Sequence, residues 1–243
     1  MSGRYAIYYT PAADNPLTRL AEAWLGYSVW SGETVARAQT ASLAPKQMVR
    51  FTEAPRRYGF HATLKPPMRL ADGKTSEALM ADISSYAETA RPVLIDALVL
   101  RWIGPFLALV PDNQTPELDK LASKIVRQFE PYRAPLNPEE VARRLHKDLS
   151  ARQVEMLNDW GYPYVHEEFR YHMTLTSPIE ESDRSMVLAA AEQHFKAIAG
   201  RPLLIDQLVL CHEAEAGDPF VAIALHEFVR QTTTQTSRES AAI

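Results

Sequence analysis

The sequence predicts an α/β or α+β sandwich assembled from two copies of one unit. Three observations carry that expectation. A pentapeptide of the form aromatic-His-x-Thr-Leu occurs twice, as Phe60-His61-Ala62-Thr63-Leu64 and as Tyr171-His172-Met173-Thr174-Leu175. A decapeptide also recurs at nearly the same spacing: Arg91-Pro92-Val93-Leu94-Ile95-Asp96-Ala97-Leu98-Val99-Leu100 returns as Arg201-Pro202-Leu203-Leu204-Ile205-Asp206-Gln207-Leu208-Val209-Leu210. Around both, stretches with strand character alternate with stretches of helical period.

The elements follow in order. An aromatic-rich strand is expected over 5–10. Asn15 is placed to cap a helix with Pro16 at its first position and Gly26 at its stop. Residues 27–56 carry Gly, Thr and Ser and read as a loop-like insert. The first motif strand is expected over 58–65, ended by Pro66-Pro67, then a helix over 75–90 and a strand over 94–102. The second copy gives a strand over 106–110, a helix over 116–130 and the second motif strand over 168–176. A helix over 182–199 and strands over 203–211 and 219–226 complete it. Its insert, 131–165, is Pro-rich with helices over 138–146 and 150–160, and both inserts are expected to rim a cleft. Pro105-Phe106-Leu107-Ala108-Leu109 is echoed by Pro219-Phe220-Val221-Ala222-Ile223, so 106–111 both closes the first copy and opens the second. The expected organisation is one domain over 1–228, with repeats at about 4–104 and 105–226 and a polar, disordered tail over 229–243.

Composition narrows the function classes. A chain of 243 residues with net charge −4 does not predict a general affinity for extended nucleic acid, although a local basic patch remains open. No apolar run approaches the roughly 20 residues that span a bilayer, and the start lacks a secretory pattern. The single cysteine, Cys211, excludes an intramolecular disulfide framework, so a reducing cytoplasm is the expected setting. His166, His194, His212 and His226 have no spacing typical of a metal site and read as structural or exposed. No Gly-rich phosphate loop or nucleophile elbow is present.

The chemistry is expected on the polar faces of the motif strands. Strand alternation sends Phe60, Ala62 and Leu64 one way and His61, Thr63 and Lys65 the other. In the second motif Arg170, His172, Thr174 and Thr176 share the polar face. Two threonines and two cations, Lys65 and Arg170, form an inventory of anion donors. Two histidines add a base and an acid near neutral pH, which is what phosphodiester cleavage needs. A lone His-x-Thr in a strand is more often a surface or satisfied histidine. Two His-x-Thr-Leu among seven histidines have a chance on the order of 10⁻³ at ordinary residue frequencies. Further candidates are Arg57, on the polar face with His61, and Tyr164 in the aromatic turn Trp160-Gly161-Tyr162-Pro163-Tyr164, as a stacking surface for a base or sugar. Core packing explains that turn equally well. The run Arg143-Arg144-Leu145-His146-Lys147 could bind phosphate but reads first as a solvated helix face. Only one of Tyr8 and Tyr9 can face the cleft.

These residues resemble the 2H phosphoesterase superfamily, whose signature is a pair of His-x-Thr motifs in two sequence repeats. The resemblance covers about 4–226. The longer strings Arg57-Tyr58-Gly59-Phe60-His61-Ala62-Thr63-Leu64-Lys65-Pro66-Pro67 and Phe169-Arg170-Tyr171-His172-Met173-Thr174-Leu175-Thr176 resemble a branch encoded in bacterial phosphonate-utilisation operons. The resemblance implies an α+β, bilobal fold, with two lobes of sheet and helix related by a pseudo-twofold around a central cleft. It implies metal-independent hydrolysis of a cyclic phosphodiester in a small nucleotide or ribose phosphate, with no cofactor. His61 and His172 would be the catalytic pair and Thr63 and Thr174 would hold the phosphate. Two other readings stay open: a non-catalytic module that binds a nucleotide or sugar phosphate, and processing of RNA 2′ ends.

Overall fold

A computed structural model of the protein describes residues 3–145 and 149–229. In chain order it contains β1 (Arg4–Tyr9), α1 (Pro16–Leu25), α2 (Pro45–Arg56), β2 (Ala62–Met68), α3 (Ser76–Ala87), β3 (Val93–Ile95), β4 (Leu98–Ile103) and β5 (Phe106–Pro111). Then come α4 (Pro116–Gln128), α5 (Pro138–Leu145), α6 (Ala151–Trp160), β6 (Met173–Thr174), α7 (Glu181–Phe195), β7 (Leu203–Ile205), β8 (Gln207–Glu213) and β9 (Val221–Glu227). One sheet has seven strands in the order β4-β5-β6-β2-β1-β8-β9, and β3 pairs with β7 in a second. Every pairing between these strands is antiparallel, which makes the fold α+β rather than α/β.

The large sheet is symmetric about its β2–β6 pair. Exchanging β1 with β5, β2 with β6 and β4 with β8 leaves the order of its first six strands unchanged. The register makes the point at residue level. Ala62 pairs with Met173, its own counterpart in the other motif. Leu94 pairs with Leu204, its counterpart in the decapeptide. A pseudo-twofold axis therefore runs through both pairs. It also equates Tyr8, opposite Thr63, with Ala108, opposite Thr174. β9 then forms with β8 the hairpin that β5 forms with β4.

The helices cover one face of the sheet. Trp24 and Leu25 of α1, Ile83 of α3, Ile125 of α4 and Phe195 of α7 pack on Ile7, Leu64, Leu109, Met173 and Leu210. The α1 boundaries follow from the sequence: the Asn15 side chain accepts from Leu17 N at 2.9 Å, Pro16 occupies the first turn, and Gly26 closes it at φ 70°. The opposite face carries a smaller cluster of Ala6, Tyr8, Tyr27, Val29, Val209, Cys211 and Phe220. Tyr27 and Val29 bring the first insert over that face.

Several boundaries differ from the sequence expectation. The first insert is not all loop. Residues Met48, Phe51, Thr52 and Pro55 are the buried stripe of α2, which begins at Pro45. β2 runs through Pro66 and Pro67 to Met68. It can do so because β6 has only two residues and pairs at Ala62, so past the motif the prolines face no second ladder that needs their N–H. The expected strands over 94–102 and 203–211 each split in two, and their first parts pair across the axis as β3 and β7. The expected tail falls almost wholly outside the described residues. Among the described residues no helix is long and apolar enough to cross a membrane.

Candidate active site

The β2–β6 pair brings the two motifs together. Ala62 and Met173 both point into the core, so alternation sends His61, Thr63, His172 and Thr174 to the other face. Extending the antiparallel register by one residue sets His61 beside Thr174 and Thr63 beside His172. The histidines are then diagonal neighbours, about 7–8 Å apart across the sheet. That spacing leaves room for one phosphoryl group between them.

Both imidazoles are held in one tautomer by the same device. His61 Nδ1 lies 2.9 Å from the Gly59 carbonyl, and His172 Nδ1 lies 2.7 Å from the Arg170 carbonyl. A carbonyl oxygen only accepts, so each Nδ1 carries the proton and each Nε2 is left with its lone pair. His61 Nε2 is 3.1 Å from Thr63 Oγ1. Gly59 is required where it stands. Its φ is 68°, and a Cβ would meet Val29 Cβ at 2.5 Å.

Among the differences between the two halves, one bears directly on the histidine rings. Tyr8 stacks on the His61 ring with centroids 3.9 Å apart. The equivalent Ala108 covers nothing, and His172 has Phe106 at 5.8 Å, tilted. Burial under that stack lowers the His61 pKa to about 4, against the pull of the Gly59 carbonyl and with the help of His172. Burial also lowers His172, opposed by the Arg170 carbonyl. Tyr8 is thus the aromatic on the histidine-bearing face of the sheet. Tyr9 turns into the core and donates its hydroxyl to the Leu204 carbonyl at 3.0 Å.

The other expected residues divide. Arg170 is exposed at the foot of β6. Arg57 lies near the His61 side, where its guanidinium pairs with Glu213 and its Nε donates to the Asp218 carbonyl at 3.3 Å. Arg4 pairs with the other oxygen of the same carboxylate. Burial pushes the Glu213 carboxyl up, but the hydrogen bonds from Arg4, Arg57 and Gly217 N outweigh it and hold the group below its usual value. Tyr164 is exposed and meets Tyr162 edge-on, centroids 5.6 Å apart. Tyr162 of the same turn is close enough to Tyr58 to feel it electrostatically.

Lys65 corrects the expectation. It is 1% exposed, and its ammonium donates to Glu130 at 2.7 Å and to the Val126 carbonyl at 3.0 Å. The cause is a β-bulge. Tyr8 pairs with Thr63 but Ile7 pairs with Lys65, so β2 places two residues against one. The extra residue breaks the alternation and turns Lys65 to the helix-covered face with Ile7. Thr176 is likewise committed: it is buried, and its Oγ1 accepts from Leu107 N at 2.9 Å. Of the remaining histidines, His194 Nε2 donates to the Leu20 carbonyl at 2.8 Å, His212 stacks on Tyr5, and His166 packs against Ser123. Among the described residues no group of three His, Cys, Asp or Glu side chains is placed to hold a metal ion.

An antiparallel α+β sheet whose central strands each present a tautomer-fixed histidine and a threonine to one face defines the class of site. Residues 63–221 match the family described as "Protein of unknown function (DUF1045)", and the chain belongs to that family. It is 38% identical over 222 residues to "Ribose 1,5-bisphosphate phosphokinase PhnN" of Janthinobacterium sp. (strain Marseille), covering 90% of this chain and 49% of that protein. It is 34% identical over 217 residues to the protein of the same name from Laribacter hongkongensis (strain HLHK9), covering 89% and 50%. The chain spans about half the length of these relatives. Two solved structures align over 95% of this chain and 100% of theirs at 12% identity: "Crystal structure of phosphoesterase", TM-score 0.42, and "Crystal structure of E.coli LigT complexed with 3'-AMP", TM-score 0.40.

Proposed function

We propose that this chain is a metal-independent phosphoesterase of the 2H type that opens a cyclic phosphodiester of a small ribose phosphate or nucleotide. One observation carries the reading: two histidines, related by the pseudo-twofold, each have Nδ1 committed to a main-chain carbonyl and Nε2 unprotonated, that of His61 accepting from the Thr63 hydroxyl. The phosphoryl group sits between them; the Thr63 hydroxyl turns from His61 Nε2 to donate to one non-bridging oxygen, which frees that nitrogen as a base, and Thr174 donates to the other. His61, the harder of the two to protonate in its most stacked setting, is the base. It takes a proton from water as the water oxygen bonds to phosphorus. The bond from phosphorus to the ring oxygen breaks, and that oxygen takes a proton from the His172 imidazolium. The product is a phosphomonoester, and the two imidazoles exchange protons with solvent to reset.

The relatives' name supports the choice of sugar. It says that they act on ribose 1,5-bisphosphate. Opening a 5-phosphoribosyl 1,2-cyclic phosphate at its bond to O2 yields that compound, so a role in phosphonate breakdown is part of the proposal.

The test is turnover of a panel of cyclic phosphates in EDTA, including 2′,3′-cyclic nucleotides and 5-phosphoribosyl 1,2-cyclic phosphate. Wild type is expected to turn over at least one member. His61→Ala and His172→Ala are each expected to lose about 10²–10⁴ in kcat/KM. Saturable binding with no product in wild type would replace the enzyme with a binding module.

A further inference from the structure

Beyond His61, the cleft carries polar groups that the hydrolysis does not use. Tyr8 is 0% exposed, and among the described residues its hydroxyl has no hydrogen-bond partner. One guanidinium nitrogen of Arg144, on α5, is also buried with no partner among the described residues. Tyr8 and Tyr58 share the His61 ring, with centroids at 3.9 and 6.1 Å, and Tyr162 and Arg4 are close enough to influence both Tyr8 and Arg144 electrostatically. Neighbouring acids are already engaged. Glu213 holds Arg4 and Arg57 together, leaving that trio one positive charge in excess. Glu140, the carboxylate beside Arg144, pairs with Arg69 at 3.0 Å.

A buried donor without an acceptor costs about 1–3 kcal/mol. Two of them under the influence of the same cation, Arg4, suit an anion with several acceptor oxygens. Burial keeps the phenols as donors, raising Tyr8 well above its ordinary range and Tyr162 to about 12.

We propose that Arg144 and Tyr8, with Tyr58 and Tyr162 beside them, form a second anionic subsite that takes a phosphate of the substrate other than the one being cleaved. The proposal rests on the reading that the reacting phosphoryl group lies between His61 and His172. It makes the substrate a doubly phosphorylated sugar or nucleotide, with one phosphate cyclic and the other a terminal monoester. Arg144 and Tyr8 then set specificity and position the ring, while the histidines do the chemistry.

The experiment compares ribose 1,2-cyclic phosphate with its 5-phosphorylated form on the full chain. Wild type is expected to prefer the phosphorylated member by at least about 100-fold in kcat/KM. Arg144→Ala and Tyr8→Phe are expected to erase most of that preference through KM, with Arg144→Ala changing the unphosphorylated member by less than about threefold. Equal losses on both members, or no preference in wild type, would overturn the subsite and leave the hydrolysis standing. Calorimetric titration with ribose 5-phosphate separates the two ideas. Binding that persists in His61→Ala and vanishes in Arg144→Ala supports the subsite even if no cyclic ester is turned over. Binding indifferent to Arg144 counts against it.

Discussion

Proton concentration is the most direct handle on the two imidazoles. Burial holds His61 down to about 4 and His172 below its ordinary value, which is about 6.5. The proposed chemistry needs one neutral ring and one protonated ring. Above about pH 5, His61 is neutral in about nine-tenths of molecules or more, so the proton must sit on His172. At about pH 7.5, a group that titrates below 6.5 is protonated in fewer than about a tenth of free molecules. The kcat/KM profile, which reports the free enzyme, should be a bell with its acid limb near pH 4 and its base limb below about 6.5. An anionic ester beside His172 favours the imidazolium, so the base limb of kcat should lie at higher pH than that of kcat/KM. Stability has the matching sign. The folded pKa of His61 is depressed, so the native state binds fewer protons than the unfolded chain between the two values. The stability is complete above about pH 6.5 and is lost as pH falls towards about 4, by about 3 kcal/mol. Tyr8→Ala removes the covering ring and should move the acid limb upward. The assays are initial rates from about pH 4 to about pH 9 in EDTA, and urea unfolding of wild type and His61→Gln at both ends of the window. A rate maximum at or above about pH 8, or a flat profile across neutrality, would refute the reasoning.

Two further substitutions separate chemistry from structure. Thr63→Ala and Thr174→Ala should each lower kcat by about 10² with little change in unfolding free energy, because each removes one donor to the charge that develops on phosphorus; steady-state kinetics and urea melts check both halves. Lys65→Met should behave in the opposite way. It strands Glu130, which keeps only Arg133 at 2.6 Å, and should cost about 1–3 kcal/mol of stability with kcat/KM within about threefold of wild type. A tenfold rise in KM would return Lys65 to the cleft.

What the sequence made legible is the symmetric part of the molecule. The repeated motif and decapeptide carry their own register, because counterparts meet at Ala62–Met173 and Leu94–Leu204. The caps of α1 are local chemistry and were readable as such. The departures arise where tertiary geometry overrides a local period. Alternation assigns Lys65 to the cleft, and a bulge decided by pairing with β1 reverses it. The α2 stripe of Met48, Phe51, Thr52 and Pro55 was hidden by the polar and glycine-bearing residues before it. Charge alone makes the basic run of α5 a solvated face first and a phosphate site second, yet Arg143 is exposed while Arg144 is partly buried; His146 and Lys147 lie outside the described residues. Tyr8 was undecidable from strand alternation alone. Comparison with Ala108 in the other copy was the available signal, since the half with a tyrosine at that position is the half whose histidine is covered.

The unmatched pair of Tyr8 and Ala108 bears on how a ligand would sit in the proposed site. A cradle with true twofold symmetry would accept a ring-shaped ester in two equivalent poses, with either histidine as the base. One aromatic ring on one side makes the poses unequal, and each 1.4 kcal/mol between them favours one pose tenfold. The duplication supplies the two histidines, and in the proposed hydrolysis the mismatch between the copies would decide which of them meets which ester oxygen.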